Sequence, residues 1–253
     1  MDGLPKVPAA RMPDVNVKAA KPSVSQTPVD PGDAAPLSRG GGNPLHGQML
    51  HGWSGAGPVV WDSRPLGSGS RQDLVLSLLE ELDSLLPPGQ RYGRREPLRL
   101  QEDPRGRPLL FVGDTPGPSV SFSQAGGRIY AALAASGQVG LDVAFPEEFR
   151  PPYPLARILQ SKEFDLAHRL CQGDTARAAA LLWALKEAAV KALGEGFRKI
   201  SPREVEVGPA LPGEEGLFFP VAAAAATVLT WAHPQGQGWL ALGLLNPPAS
   251  LRP

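Results

Sequence analysis

Three short strand-like segments follow one another between Ser119 and Phe145, and they constrain the fold class more than any other feature of the chain. Ser119 to Phe122, Arg128 to Ala135 and Gln138 to Phe145 read as short strands, with Ala125-Gly126-Gly127 and Ala135-Ser136-Gly137 between them as hairpin turns. Hairpins join antiparallel neighbours, whereas a parallel pair needs a crossover of about a dozen residues or more. The segments read as a β-meander.

Helical patterns flank it on both sides. From Ser70 to Leu86, Leu74, Leu78, Leu82 and Leu85 form an i, i+4 stripe with Val75 and Leu79 beside it, and Pro87-Pro88-Gly89 ends the run. The basic stretch Arg91, Arg94, Arg95 and Arg99 reads as a solvated face, with an anion site as the alternative, and Pro104 to Pro108 as a turn before Leu109-Leu110-Phe111. Beyond Pro151-Pro152, a helix is predicted over Lys162 to Cys171 and a longer one over Thr175 to Leu193, stopped by Gly194 and Gly196. Strands are predicted around Val205 and Val207, over Ala226 to His233, and over Gly238 to Leu245. The order helix, meander, helices, strands predicts an α+β fold rather than a βαβ repeat, in two halves of similar outline.

Composition bounds the rest. Of 253 residues, 29 are Gly and 29 are Pro, and the stretch from Met1 to about Gln48 is rich in both, with no Phe, Trp or Tyr. Such a segment buries too little apolar surface to offset the entropy of ordering it, so residues 1–48 are predicted to be a disordered extension. Order is expected to begin near Trp53 and Val59-Val60-Trp61, dividing the remainder into halves at 49–145 and 146–253. The 25 Lys and Arg balance 25 Asp and Glu, which argues against a nucleic-acid partner bound along a track of phosphates. The lone Cys171 excludes an intrachain disulfide framework and a multi-cysteine zinc site and fits a reducing compartment. No apolar run suits a membrane helix, and MDGLPKVPAA lacks the apolar region of a signal peptide, so a cytoplasmic protein without a membrane partner is expected.

Common catalytic signatures are missing. His46, His51, His168 and His233 are scattered without ligand spacing, no GxSxG or Walker-type loop occurs, and Gly194-Glu195-Gly196 follows a helix as a stop. The informative helix is Trp183-Ala184-Leu185-Lys186-Glu187-Ala188-Ala189-Val190-Lys191-Ala192-Leu193. There Glu187 and Lys191 share a face, which on its own makes a surface ion pair. Asp142 lies within the apolar strand Val139 to Phe145, where a buried carboxylate is costly unless it is paired or holds a metal. If Asp142 faces outward the ion pair is only that. If Asp142 and Glu187 converge, two hard carboxylates with Lys191 beside them make a site for Mg²⁺ and a polyphosphate.

Gly-Leu-Asp-Val-Ala-Phe at 140–145, Ser161-Lys162-Glu163 and the helix LLWALKEAAVKALGEGF resemble, in order and spacing, the signature of the 4′-phosphopantetheinyl transferases of the two-half, surfactin-synthetase-activating type. That signature is a G-[IV]-D-x-E strand, an S-x-x-E helix start and a W-x-x-K-E-[AS]-x-x-K-x-x-G helix. Upstream, Gly106-Arg107-Pro108 resembles the family's Gly-Lys-Pro, and Val120 to Ala125 resembles its N-x-S-H-S strand. The resemblance implies two pseudo-symmetric α+β halves with the site between them. It implies transfer of phosphopantetheine from coenzyme A (CoA) to a serine of an apo acyl or peptidyl carrier protein by a monomeric enzyme, releasing 3′,5′-ADP.

By the same resemblance Asp142 and Glu187 would hold Mg²⁺ against the CoA pyrophosphate, and Lys191 would neutralise the phosphate under attack. Arg107 would contact a phosphate in place of the usual lysine, and Arg71 would reach the 3′-phosphate. Glu187 or a metal-held water would take the serine proton. Two departures stand out: Ala144 replaces the second carboxylate of D-x-E, and Gln124 is matched to the histidine of N-x-S-H-S. Both favour, as an alternative, a non-catalytic relative that binds CoA or a carrier protein.

Overall fold

The structure is a computed structural model that describes residues 57–93, 97–197, 199–213, 216–224 and 226–245. The predicted extension at 1–48 and Trp53 lie outside the described residues. Twelve strands and three α-helices are described: β1 (Val59–Pro65), α1 (Arg71–Leu85), β2 (Leu98–Glu102), β3 (Pro108–Val112), β4 (Thr115–Pro116), β5 (Ser119–Ala125), β6 (Arg128–Ala134), β7 (Gln138–Ala144), α2 (Ser161–Leu170), α3 (Thr175–Ala192), β8 (Glu206–Val207), β9 (Leu211–Gly213), β10 (Gly216–Ala223), β11 (Ala226–Gln235) and β12 (Gly238–Leu245). All strand pairs are antiparallel and helices cover the sheets, so the α+β expectation holds. No described helix is long and apolar enough to cross a membrane.

The meander, however, is broken. β5 and β6 form the expected hairpin, but the first sheet runs β1-β6-β5, and β7 belongs to a second sheet ordered β7-β12-β11-β10-β8. The cause is competition for an edge: β1 pairs with β6 from Val59↔Ala134 to Pro65↔Arg128, so β6 has no side left for β7. The second sheet therefore starts at Gln138, ahead of the division expected at 145. A third, small sheet β2-β3-β4 lies beside the first.

Alternation explains the layers. On β6, Ile129, Ala131 and Leu133 pack against Leu74, Leu78 and Leu82 of α1, while Tyr130, Ala132 and Ala134 point the other way. There they meet Val139, Leu141 and Val143 of β7 and Leu240, Leu242 and Leu244 of β12. The far face of the second sheet, including Ala144, Trp239 and Ala241, is covered by α3. The protein is a sandwich of α1, first sheet, second sheet and α3 with α2. Because β7 and β12 are covered on both faces, their apolar residues run nearly without a break.

Two features fix α3 and β7. The first is Gly140, which pairs with Gly243 directly beneath the helix. A Cβ on Gly140 would sit 1.9 Å from the Ala188 carbonyl oxygen and 2.9 Å from Lys191 Cβ, so α3 rides closer to the strand than any side chain would permit. The second is a ladder of hydroxyls. Edge strand β7 turns its N–H groups at Val139, Leu141 and Val143 towards β5, where Ser119, Ser121 and Ser123 accept them at 3.0, 2.9 and 3.2 Å. Buried N–H groups need partners, and these serines supply them without main-chain pairing between the two sheets.

Candidate functional site

On β7 the odd residues Val139, Leu141 and Val143 face the first sheet, so Asp142 turns towards α3. Its side chain is 8% exposed. Oδ1 accepts from Lys191 Nζ at 2.9 Å and from the Ser123 hydroxyl at 2.9 Å. Lys191 Nζ also donates to the Leu141 carbonyl at 3.0 Å and to the Phe122 carbonyl at 3.3 Å, and lies 3.9 Å from Glu187 Oε1. One ammonium thus gathers two carboxylates. The surface-pair reading of Glu187 and Lys191 fails because the close approach at Gly140 lowers this face of α3 onto the strand.

Burial decides the electrostatics. It pushes the Asp142 carboxyl above its ordinary value, while Lys191, Ser123 and the Val143 N–H pull it back. Burial likewise raises the Glu187 carboxyl; Lys191 opposes this and Asp142 adds to it. Two carboxylates held up in this way favour any added cation. Among the described residues no cluster of three metal-ligating side chains exists, and Ala144 is an apolar part of the α3 core.

Glu187 and Lys191 open onto a cleft of about 330 Å³. Its floor includes Glu187 and Lys191, one side is Ser121 and Phe122 of β5, and the rim includes Arg71, Arg105 and Arg107. Arg71 is the first residue of α1, whose N-cap Ser70 exchanges hydrogen bonds with Asp73, and its guanidinium stands 5.4 Å over the Phe122 ring. Arg105 and Arg107 come from the β2–β3 turn, which Asp103 organises by accepting both their N–H groups. That turn crosses to the end of α3: Arg105 pairs with Glu195 at 3.0 Å, and the Arg107 guanidinium lies against Gly194 and meets Gln138 Oε1. Gly194 ends the helix at φ +69° and leaves room for the arginine, since a Cβ there would be 2.7 Å from Arg107 Nη1. Burial lowers the Arg107 pKa, with Asp103 opposing.

The structure therefore brings Glu187, Lys191, Arg107 and Arg71 to one cleft, with Asp142 against Lys191 on its floor. Gln124 does not join them. It is exposed, it is paired with Ile129 next to the β5–β6 turn, and it is not in the cleft lining. The S-x-S-x-S frame of the ladder explains the difference: with Ser121 and Ser123 on the inner face, Phe122 lies between them and beside the cleft. Phe122, and not Gln124, thus lines the cleft. Sequence reasoning also missed Arg105 and Ser123. The alternating serines of 119–123 were the available signal for Ser123; nothing local marks the pairing of Arg105 with Glu195, ninety positions away.

A second lysine of α3 behaves differently. Lys186 is fully buried, pairs with Glu163 of α2, and donates to the carbonyls of Ile158 at 3.2 Å and Pro202 at 2.9 Å. Glu163 also accepts from the N–H of Gln160 at 2.8 Å and of Val207 at 3.1 Å. Burial lowers the Lys186 pKa and Glu163 opposes it.

Residues 138–226 match the family model of the 4′-phosphopantetheinyl transferase superfamily. The span begins at β7, holds Asp142, Glu187 and Lys191, and ends at the start of β11; it covers less than half of the chain and leaves out Arg71, Arg107 and Gln124. The resemblance read from the motifs is shown over that stretch, and phosphopantetheinyl transfer is the general chemistry that the match attaches to it. No curated protein matches the chain.

Proposed function

We propose that the protein transfers the 4′-phosphopantetheine group of CoA to a serine hydroxyl of an acyl or peptidyl carrier protein, releasing 3′,5′-ADP. The observation that carries this reading is that Lys191, held by Asp142 and beside Glu187, lies with Glu187 on the floor of a cleft rimmed by Arg71, Arg105 and Arg107. Transfer from a diphosphate asks mainly for positioning and charge neutralisation. Arg107 and Arg71 are placed to take CoA phosphates as planar donor forks, and Lys191 to meet the phosphate under attack. The carrier's serine oxygen forms a bond to that phosphorus as the bond to 3′,5′-ADP breaks.

Glu187 is the base this chain offers for the serine proton. Burial keeps its carboxyl above the ordinary range, which makes it a better acceptor than an exposed carboxylate. Asp142 and Glu187 fit Mg²⁺, which commonly takes one or two carboxylates and leaves its other positions to water and substrate phosphates. When bound, the ion offsets charge on the diphosphate. Both walls of the cleft come from one chain, which supports action as a monomer.

Ala144 favours a second reading, binding of CoA without transfer. Incubating the full chain with an apo carrier protein, CoA and Mg²⁺, then reading the intact mass of the carrier, separates the two. Transfer adds one phosphopantetheine per carrier. An unchanged carrier together with calorimetric CoA binding supports the second reading.

A further inference from the structure

The hydroxyls of Ser119, Ser121 and Ser123 all accept an N–H of β7, yet each still has one proton to give. Ser123 gives its proton to Asp142 Oδ1 at 2.9 Å, the same oxygen that takes Lys191 Nζ. The two donors differ in stiffness. Lys191 reaches Asp142 on a four-carbon stem whose side chain is 27% exposed. Ser123 is buried, its short side chain is anchored by the Val143 N–H, and it sits on a strand of the first sheet. The carboxylate torsion of an aspartate is broad and follows its partners, so the rigid donor sets it.

We propose that Ser123 is a positioning residue of the transfer site: from the first sheet it fixes the Asp142 carboxylate against Lys191, and so couples the alignment of the two sheets to the geometry of the cleft floor. This rests on the functional reading above. A merely structural rung would behave like Ser119, which accepts the Val139 N–H at the other end of the ladder.

The test compares S123A, S119A and S123T in the full chain by three measurements: denaturation midpoint, CoA titration with and without Mg²⁺, and single-turnover transfer to a carrier. S119A and S123A each leave one β7 N–H without its hydroxyl, and S123A also takes a donor from buried Asp142, so both midpoints should fall and that of S123A further. S123A should slow transfer about tenfold, the weight of one hydrogen bond to a charged group, while S119A stays within about twofold of the wild type. The gain in CoA affinity on adding Mg²⁺ should shrink in S123A and persist in S119A. S123T, which keeps the hydroxyl, should recover both. Should S123A not fold, S123C keeps the volume, weakens the hydrogen bond and is read the same way. If S123A and S119A match in transfer and in Mg²⁺ dependence while the wild type is active, the positioning role is overturned alone. A wild type that neither binds CoA nor modifies a carrier overturns the functional reading and the proposal with it.

Discussion

Two lysine–carboxylate pairs leave α3 five residues apart, on sides of the helix separated by roughly 140°, and burial has given them different work. Lys186 and Glu163 are sealed, with side chains 0% and 2% exposed, and every donor and acceptor described there is spent on backbone or on the partner. Lys191 and Asp142 are 27% and 8% exposed, and Lys191 lines a cleft. The sealed pair joins α3 to the start of α2 and to β8. The open pair keeps a partly buried charge within reach of a ligand. A buried ion pair is therefore not by itself a mark of function; its access to a cavity decides.

The sharpest way to break the comparison is to remove Lys186. Lys186→Ala leaves Glu163 buried without its cation and should cost about 3–5 kcal/mol in denaturant unfolding. The double change Lys186→Met, Glu163→Gln should recover at least half of that, with transfer per folded molecule little altered. A loss below ~1 kcal/mol for the single variant would show that the pair is not sealed.

Gly140→Ala should come next, at about 3 kcal/mol, because its Cβ would collide with the main chain of α3. Transfer per folded molecule should fall too, since lifting the helix moves Lys191 from Asp142. Lys191→Ala should cost less stability, about 1–2 kcal/mol. Asp142 already has a raised pKa and can answer the loss by taking up a proton. Equal losses for Lys186→Ala and Lys191→Ala would erase the distinction between the pairs.

Proton linkage gives a smaller effect with a definite sign. Asp142 and Glu187 are both raised on folding, so the native state binds more protons above the ordinary carboxylate pKa, and stability falls as pH rises through the folded values. Relative to Asp142→Asn, Glu187→Gln, the wild type should lose stability from about pH 4 upwards, and Mg²⁺ should lessen the loss. A relative gain would mean that the carboxylates are not held up by burial. Smallest of all should be the response at Cys171, whose thiol burial pushes up to about 12. Native protein at neutral pH should resist an alkylating reagent that modifies the unfolded chain at once.

Much of this was legible in the sequence, because local patterns carried it. The leucine stripe became α1, the alanine-rich run with its glycine stop became α3, and Gly238 to Leu245 became β12. Asp142 was found by its cost: a carboxylate in an apolar strand demanded a partner, and Lys191 is that partner. What stayed hidden depends on long-range competition. Nothing near Gln138 shows that β1 has taken the edge of β6, so the meander seemed continuous. β10 was not expected, and β2 was concealed within a basic stretch whose Arg99 pairs with Asp114 across the sheet. Lys186 and Lys191 look equivalent in the helix; only the positions of α2 and the Arg107 turn distinguish them.

The most direct measurement is the single-turnover rate at which an apo carrier gains phosphopantetheine mass, compared for the wild type, Lys191→Ala, and Lys186→Met, Glu163→Gln at equal folded concentration with CoA and Mg²⁺. If the open pair is the transfer site, the wild type and the sealed-pair variant should convert the carrier at similar rates. Lys191→Ala should then be slower by about 100-fold, the range seen when one charge-stabilising donor is removed from a reaction centre. A Lys191→Ala protein that converts the carrier as fast as the wild type would contradict the assignment of the cleft floor as the place where transfer occurs.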